Sequence, residues 1–432
     1  MKLKNKLSKL FLFLITIQAL VNLIGALGPE LGFDALWYHL TEAKLFLQNK
    51  SIAPIPGNLL YWSGLPRLAE TFYTLALAAW DERLAKIIHW SFGVLSAYLI
   101  YQIARKKNTH LASLASALLF YSTLLVGWLS TSSYIDLIMT GFLLLALNCR
   151  KWWSRGLSLI LAGSVKLHAI AYGLAITFIP WAILGTLPFW LINYFSTGNF
   201  FYPFLENFGF ESEWITNGFL YWLSRPLRLF FDIDYRVGPI ILILFLISLK
   251  NLNAKYKILN TITIVFLLWW LGPGTGFARF SLFLLALLSI HSASLFSLKK
   301  IPYIPLVLIL FQAIVGITAR AWANQKYLPV ILHKQSKADF LTNNLKFHFG
   351  DFYDIDNWFK QNIKPADRVL IYNIHNLYYV DFPYDHHTWE NPNTKYTHIL
   401  VGGNSKLPEK YGNLPLIYQN PTTQVKLYLN ET

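Results

Sequence analysis

Long apolar runs recur through this chain, and they constrain its fold more than any other feature. Leu10–Leu27, Leu84–Ala104, Leu111–Leu129, Phe280–Leu298 and Ile301–Ala319 each approach or exceed about 18 residues, the length that crosses a hydrocarbon core of about 30 Å. Only 14% of the residues are charged, against about 25% in a soluble domain. These features exclude a soluble globular protein and imply a polytopic membrane protein. The net charge of +15 does not point to nucleic acid. The positive residues gather at the ends of apolar segments, as loops that set topology do. The single cysteine, Cys149, rules out an internal disulfide.

Charge placement gives a topology. Lys2, Lys4, Lys6 and Lys9 precede the first run and place it as an uncleaved span with a cytoplasmic N-terminus. Arg105–Lys107 and Arg150, Lys151 and Arg155 mark the cytoplasmic side again. Lys250, Lys255, Lys257, Lys299 and Lys300 fall in later cytoplasmic turns. Residues 28–83 form a large external loop. Within it, Leu68–Trp80 is too short to cross and reads as an interfacial or re-entrant helix. Ser130–Asp136 and Gly272–Arg279 are short external turns, and residues 197–237 form a long aromatic external loop. Between Gly156 and Ser196, broken by Lys166, His168, Pro180 and Pro188, parity allows one span or three, and three are expected. The total is about 9–11 spans.

The densest polar stretch follows the first span. Asp34, Tyr38, His39, Thr41, Glu42 and Lys44 fall close together in FDALWYHLTEAK. On a helix, Asp34, Tyr38, Thr41 and Glu42 share one face, and Leu36, Leu40, Ala43 and Leu47 another. The stretch is expected to lie at the membrane surface as an amphipathic helix. At about Arg320 the composition turns polar. Arg368–Ile374, Thr397–Gly403 and Gln424–Asn430 read as strands and Asp354–Gln361 as a helix. The expectation is an all-α membrane domain over 1–319 and a small extracytoplasmic α/β domain over 320–432.

Several segments together resemble the GT-C glycosyltransferases, specifically the bacterial branch of protein O-mannosyltransferases and lipid A aminoarabinose transferases. They are Phe33–Lys44, SSYIDL (Ser132–Leu137), GSVKLHAIA (Gly163–Ala171), NYFSTGNFFYPF (Asn193–Phe204) and GFARF (Gly276–Phe280), in the family's order. Phe200 stands where the family usually has proline. The resemblance implies transfer of a sugar from a polyprenyl-phosphate donor to a hydroxyl of a lipid, glycan or protein acceptor, at the extracytoplasmic face of a bacterial inner membrane. It matches Asp34 to the catalytic base and Asp136 to the second external carboxylate. Lys166, Arg279 and Arg67 become candidate phosphate contacts, and Tyr38, His39, Glu42 and Asn199 candidate substrate contacts. It leaves room for a divalent metal ion, for which the sequence offers no ligand set. No glycine-rich nucleotide loop is present, in keeping with a lipid donor and with no nucleic-acid partner.

Each of these residues also has a plainer reading. Asp34 and Asp136 are both suited to capping a helix N-terminus. Lys166 can snorkel from an apolar run, where an unpaired charge costs about 3 kcal/mol. Arg279 can anchor at the interface, His168 can simply pack, and Asn199 can shape a turn. Asp381, Asp385, His386, His387 and Glu390 have no strong metal-ligand spacing. Three other functions compete with transfer by this chain: a transporter or flippase of lipid-linked sugars, an O-antigen polymerase or ligase, and a non-catalytic lipid-binding protein.

Overall fold

The computed structural model describes residues 2–204, 206, 213–251, 256–272, 277–297, 301–403 and 405–430. Residues 205 and 207–212 of the long aromatic loop, 273–276 of the Gly272–Arg279 turn, and Lys255, Lys299 and Lys300 lie outside the described residues. The chain opens with α1 (Lys2–Leu27), followed by a π-helical turn (Ala35–His39), α2 (Leu40–Asn49), α3 (Leu68–Ala79) and α4 (Glu82–Arg105). Then come α5 (His110–Tyr121), α6 (Leu124–Leu129), α7 (Asp136–Asn148), α8 (Trp152–Val165), α9 (His168–Thr177) and α10 (Trp181–Thr197). The membrane part closes with α11 (Glu213–Phe231), α12 (Ile240–Ser248), α13 (Tyr256–Leu271), α14 (Leu282–Ser292) and α15 (Tyr303–Asn324). Among the described residues, four segments are long and apolar enough to cross a membrane: Lys2–Leu27, Glu82–Arg105, Ala278–Ser297 and Tyr303–Ile331. Shorter apolar helices, including α3, α5, α7 and α9, pack among them. The third of the four is 89% buried within the protein, so it forms the centre of the bundle, whereas the outer two turn most of their surface outward.

Several expected spans are interrupted. Leu111–Leu129 is not one helix, because it breaks at Ser122–Thr123 between α5 and α6. Gln312 of α15 compensates the break by donating Nε2 to the freed Leu119 carbonyl at 2.6 Å and to Ser122 Oγ at 3.2 Å. Gly156–Ser196 holds three helical pieces, with α8 ending at Lys166 and α9 ending before Pro180. Pro188 is carried inside α10 without ending it. The α8–α10 contact is backbone to backbone. A Cβ on Gly163 would stand 2.0 Å from the Ala182 carbonyl oxygen, and one on Gly185 2.0 Å from that of Ile160. Such small-residue contacts let helices approach closely in an apolar solvent. The compositional boundary at Arg320 falls inside α15, which runs on to Asn324.

The C-terminal region continues with α16 (Leu328–Ile331), α17 (Lys337–Asn344) and α18 (Trp358–Asn362). Its five-stranded sheet contains β1 (Val369–Tyr372), β2 (Tyr384–His386), β3 (His398–Val401), β4 (Leu416–Asn420) and β5 (Val425–Leu429) in the order β2-β1-β3-β5-β4. β1 runs parallel to β2 and β3, while β3–β5 and β4–β5 are antiparallel. Both faces of the central strands are covered: Val369, Ile371 and Leu400 join one core, Leu370, Ile399 and Val401 another. This explains the unbroken apolar runs by which these strands were read. The expected helix Asp354–Gln361 is shorter, because Asp354 and Asp356 accept backbone N–H groups of Lys360 and Trp358 and act at its entry.

The expected surface helix after α1 is instead buried on both faces. Leu36, Leu40 and Ala43 belong to the membrane core, and Tyr38 and Phe46 to the core of the C-terminal domain. Amphipathic spacing failed to predict exposure because the polar face meets protein rather than water. The C-terminal domain thus packs against the first loop, on the same side of the bundle.

The Gly163 contact makes a test of the packing. Gly163→Leu forces the α8 and α10 backbones apart and is expected to cost about 1–3 kcal/mol or more, read as a clear drop in the melting temperature of the detergent-solubilised protein. An unchanged melting temperature contradicts the close contact.

Candidate active site

Four charged residues from four separate segments converge at one end of the bundle. Asp34 precedes the π-helical turn, Asp136 opens α7, Lys166 sits at the break between α8 and α9, and Arg279 lies in the 3-10 turn Ala278–Ser281 before α14. Asp34 Oδ2 lies 2.5 Å from an Arg279 guanidinium nitrogen and accepts the Tyr38 hydroxyl at 2.9 Å. Asp136 Oδ1 accepts Lys166 Nζ at 2.7 Å, and its Oδ2 is 3.9 Å from Arg279 Nε. Asp136 is almost wholly buried, its side chain 1% exposed, whereas Asp34, Lys166 and Arg279 keep 17%, 16% and 13%. Two carboxylates and two cations therefore balance in a site lined by aromatic rings. The Lys166 ammonium lies 3.9 Å from the Phe280 ring centre, and the Arg279 guanidinium 5.0 Å from that of Tyr134. His168 packs its ring on Phe280 at 4.6 Å, as expected, with Nδ1 buried and without a hydrogen bond.

Local structure explains why each side chain points inward. Lys166 is extended (φ −159°, ψ 138°), so α8 stops there and its side chain leaves the helix axis toward Asp136. Tyr172 donates to the Phe280 carbonyl at 2.9 Å and fixes the turn that carries Arg279. Asp34 makes no capping bond to its own helix, so the plainer reading of that residue does not hold. The turn leading to Asp136 is fixed by His89. Its Nδ1 lies 2.9 Å and 2.8 Å from the Leu129 and Ser132 carbonyls, and its Nε2 accepts Leu137 N–H at 3.1 Å. Those partners assign the proton to Nδ1 and a neutral ring. Tyr73 holds the same turn through the Tyr134 carbonyl.

Arg67, Glu42 and His39 form a second buried polar group, apart from the first. His39 Nδ1 pairs with Glu70 at 2.7 Å. Arg67 donates to the Ser63 and Leu65 carbonyls and to Asn193 Oδ1 at 2.9 Å, so its guanidinium holds the first loop. Burial, and then the neighbouring Glu70 carboxylate, push Glu42 well above the ordinary carboxylate range. Asn199 donates to the Phe204 carbonyl and Glu206, and accepts Phe201 N–H; it shapes its own turn. The residue that carries its motif into the site region is Asn193, whose Nδ2 donates to the Gly64 and Tyr202 carbonyls. Asn193 and Tyr134 stood inside the quoted segments without being singled out, and His89 went unnoticed, because an amide, a phenol and an imidazole inside apolar or aromatic runs carry no periodic signal.

A divalent metal finds no ligand set. Among the described residues no three His, Cys, Asp or Glu side chains gather as a metal site requires. Asp34 and Asp136 are each already engaged by a cation. The late acidic and histidine residues disperse: Asp381 pairs with Lys44, Asp385 with Arg368, and Glu390 with Lys410. His387 stacks on Tyr372 and His386 hydrogen-bonds Thr388.

No family model matches the chain, and no curated protein sequence matches it. Two solved structures share its fold. ArnT from Cupriavidus metallidurans bound to undecaprenyl phosphate superposes with a TM-score of 0.62 at 11% identity, over 96% of this chain and 97% of that one. The apo state of the same protein gives 0.56 with the same identity and coverage. The chain shares the fold of these ArnT structures, and its long apolar helices make it a multi-pass membrane protein.

Two measurements test the electrostatics. Removing the cation from a buried pair strands the carboxylate, so Lys166→Met is expected to cost about 3–5 kcal/mol. Adding Asp136→Leu returns much of it, and thermal unfolding of both variants reads the coupling. In the C-terminal domain, burial pushes His386 down to about 2, below its value in the unfolded chain. Protons therefore favour unfolding: this contribution is absent above about pH 6.5 and destabilises as pH falls, by at most about 1.4 kcal/mol per pH unit. His386→Gln is expected to flatten that acid slope in melting experiments.

Proposed function

We propose that this chain transfers a sugar from a polyprenyl-phosphate carrier to an acceptor hydroxyl on the extracytoplasmic side of the membrane. The observation that carries the reading is the meeting of Asp34, Asp136, Lys166 and Arg279 at one aromatic-lined point. In the reaction the acceptor oxygen forms a bond to the anomeric carbon as the bond from that carbon to the phosphate oxygen breaks. The acceptor proton passes to the Asp34 carboxylate, and the electron pair leaves with the lipid phosphate. That leaving group needs positive charge rather than a proton, and the acceptor hydroxyl needs a base within hydrogen-bond reach.

The residues divide these tasks. Lys166 and Arg279 are the phosphate contacts. Arg279 has an Nε without a hydrogen bond, so it can grip a phosphate and release its hold on Asp34, which frees the carboxylate to act as base. Asp136 keeps Lys166 charged and aimed, and the Tyr38 hydroxyl steers Asp34. Such a switch makes base activation depend on donor arrival. The C-terminal domain then lies outside the cytoplasm, on the side where the acceptor is met.

Buried opposite charges also suit transport, and that reading stays open to the same experiment. Purified wild type and Asp34→Asn are assayed with radiolabelled polyprenyl-phosphate sugars and a crude envelope extract as acceptor. Wild type is expected to transfer label, and Asp34→Asn to lose at least about a thousandfold in kcat while still binding donor lipid. Turnover retained in Asp34→Asn removes the assignment of the base. Donor bound without transfer by either protein favours the transporter reading.

A further inference from the structure

Asp34 does not take its position from its own helix. It lies in a stretch anchored upstream by Glu30, which is 1% exposed. Glu30 Oε1 accepts the Leu31 N–H at 2.9 Å, the Gly32 N–H at 2.7 Å and the Ser132 hydroxyl at 2.8 Å. Its Oε2 accepts the Ser133 N–H at 2.7 Å. Two of these four bonds lie on the loop that leads to Asp34, and two on the turn that leads to Asp136. One carboxylate thus bolts together the two segments that carry the paired acids. The segments touch directly: a Cβ on Gly32 would stand 2.3 Å from Ser132 Oγ. Lys86 holds the same loop through the Gly28 and Pro29 carbonyls at 2.7 Å and 3.0 Å, leaving the Glu30 carboxylate to its four neutral donors. Hydrogen bonds from neutral donors to an anion are about twice as strong as neutral ones, so the charge of Glu30 matters as well as its shape.

The C-terminal domain grips the same stretch at both ends. The Tyr379 hydroxyl donates to the Glu30 carbonyl at 3.0 Å and to Glu82 at 3.4 Å. Downstream of Asp34, Lys44 donates to the Tyr378 and Val380 carbonyls and to Asp381, at 2.9, 2.6 and 2.7 Å. The segment 378–381 therefore brackets the chain on either side of Asp34.

We infer that Glu30 is a positioning residue that sets Asp34 against Asp136, and that Tyr379 extends this clamp into the C-terminal domain. The inference rests on the transfer reading above. Glu30 touches no substrate in that scheme; it acts through the geometry of the acid pair, where a displacement of about 1 Å costs up to about a hundredfold in rate.

The test uses the full-length protein in detergent with Cys149→Ser, carrying Glu30→Gln or the milder Tyr379→Phe. Transfer kinetics are measured beside the distance between spin labels at the exposed positions Phe33 and Phe277. Glu30→Gln is expected to lower kcat at least about tenfold with donor KM within about twofold, and to broaden the distance distribution. Tyr379→Phe is expected to do the same to a smaller extent, at an unchanged melting temperature. An unbroadened distribution with wild-type kcat in Glu30→Gln overturns the inference. So does a parallel loss of kcat, donor KM and melting temperature in both variants, since that is general unfolding. If Asp34→Asn retains turnover, the transfer scheme fails on its own, and the spin-label distances still decide whether Glu30 holds the Asp34 loop in place against the turn that carries Arg279.

Discussion

Charges in a low-dielectric interior must be paired, and that requirement shapes the whole site. A single carboxylate or ammonium carried into an apolar bundle costs several kcal/mol. The chain meets this cost by bringing Asp34, Asp136, Lys166 and Arg279 to one place, so that each charge answers another. The pairing demands backbone irregularities that a bundle of uninterrupted helices does not supply. The α8–α9 break turns Lys166 inward, the 3-10 turn before α14 presents Arg279, and the turn before α7 presents Asp136. The polar groups freed by such breaks find partners within the protein, as Gln312 does at the α5–α6 break.

The pairing is not symmetric. Arg279 keeps an Nε without a hydrogen bond, and Asp34 keeps some access to solvent whereas Asp136 does not. That asymmetry is what the proposed division of roles between the two acids rests on. The two polar groups around α2 differ for a related reason. His39 pairs with Glu70, and Arg67 is held by the carbonyls of the first loop and by Asn193, so these side chains tie the first loop to α3 and α10.

Residues whose type is costly where they stand were legible without a structure. A lysine inside an apolar run, an aspartate after the first span and another in a short polar turn, and an arginine ahead of a late span are conspicuous in a chain so poor in charge; all four meet in the structure. Residues that are unremarkable by type stayed hidden: Glu30 and His89 carry no signal of their own, and Tyr134 and Asn193 stood inside the quoted segments without being singled out. Arg67 misled because a basic residue beside apolar sequence reads equally as a ligand contact and as a loop clamp, and only its partners distinguish them. Strands β1, β3 and β5 were legible as apolar runs, whereas β2 is three residues long and β4 is a largely exposed edge, neither with a pattern to read.

The sequence by itself determined that this is a membrane protein of many helices with a small mixed domain at its end, because apolar length and charge scarcity act residue by residue and need no partner. It also marked the four charges, since the cost of placing them follows from local composition. Which of those charges touch was decided by the tertiary structure alone, because the segments that carry them are far apart in the chain and meet only through helix packing and broken turns. The same holds for the stretch around Asp34. Its spacing announced a helix with one apolar face, but only the docking of the C-terminal domain buried the other face and fixed the carboxylate in place.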